Sequence, residues 1–154
     1  AIGSERISNE IMRRLKFDND TIRKVSKLVY YHDYRMPPNR RLVRRAVNKI
    51  GKDLFPYYLE IRMADTLAQS LYHREDKISD IEGVAKCFQE IVDEGECVSL
   101  KELAVTGKDL IDAGISPGPQ MGEILNALLE EVLEDPEKNQ KDYLLTRAAN
   151  MNHL

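Results

Sequence analysis

"NRRLVRRAVNKIG", residues 39–51, decides the fold class of this 154-residue chain. Asn39 is a residue type that caps helix N-termini, and Gly51 is the type that most often ends a helix. Between them, apolar residues occur at spacings of three and four, as on one face of a helix. They are Leu42, Val43, Ala46, Val47 and Ile50. The same spacing continues along the rest of the chain, and we therefore predict an all-α fold, a multi-helix bundle.

The other helix boundaries follow from the same capping chemistry. We expect Ser4 to cap a first helix, and Asn19 or Asp20 to cap a second helix that ends near His32, because two prolines follow shortly afterwards. A long helix is predicted over residues 53–73. The remaining predicted helices are 78–94, two short helices after residue 98, 119–134 and 139–150.

The acidic and glycine-containing stretch "DEGE", residues 93–96, is the predicted boundary between two helical units, 1–95 and 96–154. The charge distribution agrees with a division. Residues 1–76 hold 16 Lys and Arg against 10 Asp and Glu, whereas residues 77–154 hold 7 against 16. A basic half of this kind can present a local phosphate-binding face even though the whole chain carries a net charge of -3.

Several classes of protein are disfavoured by composition. The apolar runs are much shorter than the roughly 20 residues that span a bilayer, and the N-terminal residues lack a signal-peptide pattern. Cys87 and Cys97 have neither the number nor the spacing of a zinc site or a disulfide framework. We therefore expect a cytoplasmic protein with reduced thiols and no membrane partner.

Basic residues of the 39–51 helix are predicted to form a phosphate-binding face on the side away from the apolar residues. These residues are Arg40, Arg41, Arg44, Arg45 and Lys49. Tyr30, Tyr31 and Tyr34 lie just upstream, so a base can stack where a backbone is held. The alternative is a solvated basic face above tyrosines of the core.

Two further patterns have competing interpretations. His32-Asp33 resembles part of a hydrolytic metal site, with Asp65 as a further carboxylate, but two ligands are too few for such a site. The turn in "TGKDLIDAGISPGPQMGEIL", residues 106–125, leaves free backbone N–H groups at the start of a helix. Gly118 opens that helix and Lys108 is close in sequence, which favours either an anion site or a simple packing corner.

Three segments together resemble the C-terminal portion of bacterial CCA-adding tRNA nucleotidyltransferases, a family shared with poly(A) polymerases. They are "RLKFDNDTIRKVSKLVYYHD", "VRRAVNKIGKDLFPYYLEIRMADTLAQS" and "TGKDLIDAGISPGPQMGEILNALLEEVLEDPEKN". By this resemblance, residues 1–95 are part of an HD-type helical body domain and residues 96–154 are a helical tail domain. His32 and Asp65 then occupy remnant positions of the HD-type domain and hold no metal.

The resemblance also implies a function. In that family, a catalytic head domain and a neck domain add CMP, CMP and AMP to the tRNA 3' end, using CTP, ATP and Mg²⁺. We recognise no motif of the head or the neck in this sequence. This chain is then expected to be a fragment without catalysis or a cofactor of its own, and its partners are tRNA and the missing head and neck. The expected RNA-binding residues are Arg40, Arg41, Arg44, Arg45, Lys49, Lys108 and Gly118.

Two other functions remain open at this point, as does the oligomeric state. The first is a remnant HD-type phosphohydrolase that keeps a metal through His32 and Asp65. The second is a helical protein-interaction module, which a large exposed apolar patch would favour over a basic one.

Overall fold

The computed structural model describes residues 2–69 and 71–152. The described residues form eight α-helices and two short 3-10 helices and contain no strand, so the all-α prediction is confirmed. The α-helices are α1 Ile2–Arg14, α2 Asn19–Tyr31, α3 Arg40–Ile50, α4 Phe55–Ala68, α5 Arg74–Asp93, α6 Gly107–Asp112, α7 Pro119–Glu134 and α8 Lys141–Asn152. The 3-10 helices are Leu100–Glu102 and Pro136–Lys138. None of these helices has the length and apolar character needed to cross a membrane.

Side-chain capping explains where α2 and α3 begin. Asn39 caps α3 as predicted, with its side chain accepting the Leu42 N–H at 3.2 Å. The cap of α2 is Asp18, which accepts the Thr21 N–H at 2.9 Å, rather than Asn19 or Asp20. Ser4 is not a cap, because α1 already begins at Ile2. The cap of α2 is shifted by one or two residues, the usual uncertainty of a helix end read from local sequence, and the start of α1 by three.

The helix predicted over 53–73 is shorter in the structure. α4 ends at Ala68, and His73 has a φ of 51°, which is incompatible with a continuous right-handed helix. The apolar residues that extended the periodic pattern are not core residues, since Leu67 and Leu71 are exposed. Arg74 donates to the Gln69 carbonyl and so links the ends of α4 and α5.

The structure divides into two compact units, one up to Glu90 and the other from Ile91. The division lies within the last turn of α5, a few residues before the "DEGE" break proposed from sequence. In the first unit, α1 packs against α2, and α2 contacts α3 and α4. Its buried centre is aromatic and aliphatic: the Phe55 ring centroid lies 5.2 Å from that of Tyr58 and 4.9 Å from that of Phe88.

The core of the second unit is the apolar face of α7, which packs with α6, α8 and the loop before α6. Its largest buried members include Leu110, Leu128, Leu133 and Leu144. Asn139 fixes the loop, because its side chain accepts the Ala104 N–H at 2.8 Å and donates to the Glu102 carbonyl at 3.0 Å.

Polar contacts join the helices of the second unit. Lys141 of α8 pairs with Asp109 of α6, whose carboxylate also completes a capping box with Thr106. Arg147 of α8 binds both carboxylate oxygens of Glu131 on α7, and Tyr143 donates to the same carboxylate at 2.9 Å. These contacts, the Arg147 hydrogen bonds first, lower the pKa of Glu131 from its ordinary value of 4.5.

A stability prediction follows from the approach of α5 to Pro38. A Cβ at Gly83 would lie 2.7 Å from Pro38 Cβ and 3.0 Å from Pro38 Cγ, closer than real contacts allow. We expect Gly83→Ala to lower the free energy of unfolding by about 1 to 3 kcal/mol through overpacking, although alanine is the better helix former. Gly122→Ala on α7 is the matched control, because its Cβ meets nothing within 4 Å. Chemical denaturation would contradict this close packing if both variants gained stability equally.

A second prediction concerns acid stability. Because the folded-state pKa of Glu131 is depressed, its contribution to stability is present above pH 4.5 and is lost as the pH falls through the folded pKa. We expect Glu131→Gln to lose about 1 kcal/mol of stability at pH 7 and to approach the parent below pH 4.5. Glu123→Gln on the same helix should match the parent throughout. A Glu131→Gln deficit that persists unchanged into acid would disprove the linkage, as measured by denaturation at each pH.

Candidate nucleic-acid interface

The basic residues of α3 do not all lie on one exposed side. Arg41 and Lys49 are exposed and Arg45 is half-buried, but Arg44 is only 5% exposed. The prediction that Arg44 faces away from the apolar residues is therefore wrong. At about 100° per residue, Arg44 projects beside Val43 and Val47 rather than opposite them.

Arg40 also lies at the edge of the buried side. Its side chain is 34% exposed, and its Nη1 atom lies 4.0 Å from a carboxylate oxygen of Glu90 on α5. The exposed part of the predicted site therefore contains fewer basic residues than the sequence predicted, because Arg40 and Arg44 lie at or within the buried side of α3. We call Arg41, Arg45 and Lys49 the basic helix face.

A cluster of three tyrosines adjoins the basic helix face. The Tyr30 and Tyr31 ring centroids are 4.9 Å apart, and those of Tyr31 and Tyr34 are 6.1 Å apart, each pair edge to face. Lys49 Nζ lies 5.6 Å from the Tyr34 ring centroid, within the range of a cation–π interaction. Tyr30 is 43% exposed, so the cluster is accessible at that end. The structure thus brings together the cation and the aromatic rings that the sequence only placed near each other in the chain.

Tyr34 is held in place by α4. The hydroxyl of Tyr58 donates to the Tyr34 carbonyl at 2.6 Å, and Arg62 Nη1 donates to the same carbonyl at 2.7 Å. Arg62 Nη1 also donates to the Tyr58 hydroxyl at 3.1 Å. Tyr58 is 2% exposed, and this burial raises the pKa of its hydroxyl. Sequence reasoning did not identify this anchor, because its partners lie more than twenty residues apart in the chain.

His32 and Asp65 make only local contacts. The His32 Nδ1 atom lies 2.6 Å from the Val29 carbonyl, and its Nε2 atom lies 3.2 Å from Asp33. Asp65 accepts a hydrogen bond from Gln69 at 2.7 Å. Within the described part of the chain, no three His, Cys, Asp or Glu side chains converge as metal ligands do. His153 lies outside the described residues.

An Asp-x-Asp spacing, a pattern that can hold metal ions, occurs at Asp18 and Asp20. Asp18 is the cap of α2, and hydrogen bonds from Thr21 lower its pKa. Asp20 lies 2.7 Å from Lys24 Nζ, a contact that lowers its pKa, and it also pairs with Arg23. Both carboxylates thus serve the first two turns of their own helix.

In the second unit, Lys108 and Gly118 lie at the starts of neighbouring helices. Lys108 is exposed in the first turn of α6. Gly118 immediately precedes α7 and is also exposed, and no side chain caps this helix. A Cβ at Gly107 would lie 3.2 Å from Met121 Sδ, so the first turns of α6 and α7 pack together.

The chain matches the family model described as tRNA nucleotidyltransferase domain 2, putative, over residues 2–148. It is 46% identical over 54 residues to a CCA-adding enzyme of Lacticaseibacillus paracasei, which covers 35% of this chain and 14% of that protein. It is 53% identical over 45 residues to the CCA-adding enzyme of Pediococcus pentosaceus, covering 29% of this chain and 11% of that protein. The matches thus span a small part of the length of these curated relatives. No solved structure matches the chain significantly.

The anchor of Tyr34 generates a testable expectation. Tyr58→Phe removes a buried hydroxyl that both donates and accepts, so we expect the free energy of unfolding to fall by about 1 kcal/mol or more. Tyr57→Phe is the matched control, because Tyr57 is 57% exposed, and its change should stay within about 0.5 kcal/mol. Equal stabilities of the two variants in urea denaturation would mean that the Tyr58 hydroxyl does not hold the loop.

Proposed function

Because the chain belongs to the tRNA nucleotidyltransferase domain 2 family, we propose that it serves CCA addition by binding the phosphate backbone of tRNA. The observation that carries this proposal is the position of Lys49 over the Tyr34 ring; the exposed Arg41 lies at the other end of the same helix, α3. Cations beside accessible aromatic rings suit a flexible RNA, because phosphates bind the cations and unpaired bases stack on the rings.

The charge of the two units supports the first unit as the main contact. Residues 1–90 hold 18 Lys and Arg against 13 Asp and Glu, whereas residues 91–154 hold 5 against 13. The first unit thus has a net charge of +5 and the second of -8. A polyanion is attracted to the first and repelled by the second, so the second unit needs a local site to contribute.

That local site is the start of α7, in our proposal. The positive end of a 16-residue helix that no side chain caps attracts an anion, and Lys108 adds a charge in the neighbouring helix. The expected affinity is modest, because the surrounding residues are acidic.

The nucleotidyl transfer itself is assigned to other parts of the family's proteins. In this proposal, CTP, ATP and Mg²⁺ are bound by head and neck domains, while this chain orients the tRNA. His32, Asp65 and the Asp18–Asp20 pair make contacts within their own helices, which favours binding over a phosphohydrolase function.

A protein-interaction module remains the second candidate, and one observation favours it. Ile7 and Ile11 on α1 and Leu15 directly after it are exposed at a spacing of four residues, and Phe17 follows them. Such an apolar stripe suits another protein surface. The two functions are separated by the titration below, since an interaction module has no salt-dependent affinity for tRNA.

The proposed binding can be tested with the double variant Arg41→Gln/Lys49→Gln. We expect tRNA affinity to fall about fivefold or more, and the slope of log affinity against log salt to decrease by about one to two, because fewer counterions are released. Arg44 is left intact, since its replacement would disturb the core. Fluorescence anisotropy at several salt concentrations measures both quantities.

The matched control is Arg6→Gln/Arg14→Gln on α1, which removes the same charge from exposed positions elsewhere in the first unit. It should lower affinity slightly and leave the salt slope close to that of the parent. If the two double variants bind tRNA identically, the basic helix face has no special role.

A further inference from the structure

A cavity of about 220 Å³ lies in the first unit, between the loop before α3 and the helices α4 and α5. Three of its lining residues are basic: Arg35 from the loop, Arg62 from α4 and Lys77 from α5. Asp80 of α5 is the one acidic lining residue, and Tyr58 contributes to the wall. The charges of these side chains sum to +2. The cavity is separate from the basic helix face, and none of the three cations was singled out by the sequence.

Arg62 is the most informative of these residues. It is 8% exposed, yet its described partners are the Tyr34 carbonyl, the Tyr58 hydroxyl and the Tyr58 ring, all of them neutral. A buried guanidinium without an anionic partner is costly, and such groups are normally paired. The Nη1 atom of Arg62 donates to the Tyr34 carbonyl and the Tyr58 hydroxyl. The other nitrogen atoms of the guanidinium group remain near the cavity that Arg62 lines.

Arg35 and Lys77 likewise have no carboxylate partner among the described residues. Lys77 Nζ lies 3.1 Å from the amide oxygen of Gln69, a neutral acceptor. Arg35 is exposed at the mouth of the cavity. Within the described ranges 2–69 and 71–152, no carboxylate forms an ion pair with Arg35, Arg62 or Lys77. Three cations therefore line one cavity, and no described carboxylate pairs with any of them.

We propose that this cavity is a binding site for a phosphate group, held by Arg62 at its base and by Arg35 and Lys77 at its sides. Guanidinium groups bind phosphate oxygens with charge-assisted and often bidentate hydrogen bonds, and lysine adds a point charge. The cavity volume of about 220 Å³ leaves room for a phosphate group. Asp80 opposes the ligand and keeps the affinity moderate.

The phosphate has two sources with the same chemistry: a free inorganic ion, or a phosphodiester of an RNA chain. The phosphate site does not depend on the proposed tRNA function, because Arg35, Arg62 and Lys77 are not part of the basic helix face. Its test can therefore be made without tRNA.

The experiment is a titration of the 154-residue chain with inorganic phosphate at constant ionic strength, followed by ¹H–¹⁵N NMR. The Nε–Hε signal of Arg62 and the amide signals of Tyr58 and Lys77 should shift and saturate together. Arg35→Gln and Lys77→Gln should each weaken phosphate binding about fivefold or more, the loss of one charge-assisted contact. Both replace side chains outside the core, so folding should be retained.

Two controls fix the interpretation. Asp80→Asn should tighten phosphate binding severalfold, because it removes a repulsive charge, while Arg6→Gln should leave it unchanged. Shifts that never saturate, or an equal loss of binding in Arg6→Gln, would overturn the site. A short RNA without terminal phosphates that displaces inorganic phosphate from the Arg62 signal would identify a phosphodiester as the ligand, and failure to compete would identify the free ion.

Discussion

The first unit depends on the hydrogen bonds that converge on the Tyr34 carbonyl. Tyr58 and Arg62, one turn apart on α4, both donate to this single acceptor and so join the loop before α3 to the buried face of α4. This junction sets the position of the Tyr34 ring beneath Lys49, and it places Arg62 at the wall of the cavity. Loss of these donors would leave this half-buried carbonyl without its protein partners, which is destabilising. One local constraint thus positions both surfaces to which we assign anion binding.

Much of the fold could be predicted because helix ends are determined by local chemistry. Asn39 and Gly51 bracket α3, and Pro119 begins α7, as expected from short-range capping rules alone. The end of α4 was harder to predict, since Leu67 and Leu71 continue the apolar spacing while remaining exposed. Periodicity identifies a face, but it does not reveal whether that face is covered.

The candidate site was predicted less well, for a physical reason. Side-chain burial is a property of tertiary packing, so the sequence placed Arg44 with the exposed cations although it lies against the core. The Arg62 cavity joins residues from a loop and two helices, and no spacing rule within one helix brings Arg35, Arg62 and Lys77 together. The tyrosine cluster was suggested by proximity in the chain, and the structure adds the contact with Lys49.

The central claim is that tRNA binds to the basic helix face and the adjoining tyrosines of the first unit. The most direct measurement is a map of backbone amide chemical shifts of the ¹⁵N-labelled chain as tRNA is added at low salt. The account predicts that the largest changes occur around Tyr30, Tyr34, Arg41, Arg45 and Lys49 and disappear when salt is raised. Changes confined to the exposed stripe of α1, or the absence of any change, would contradict it.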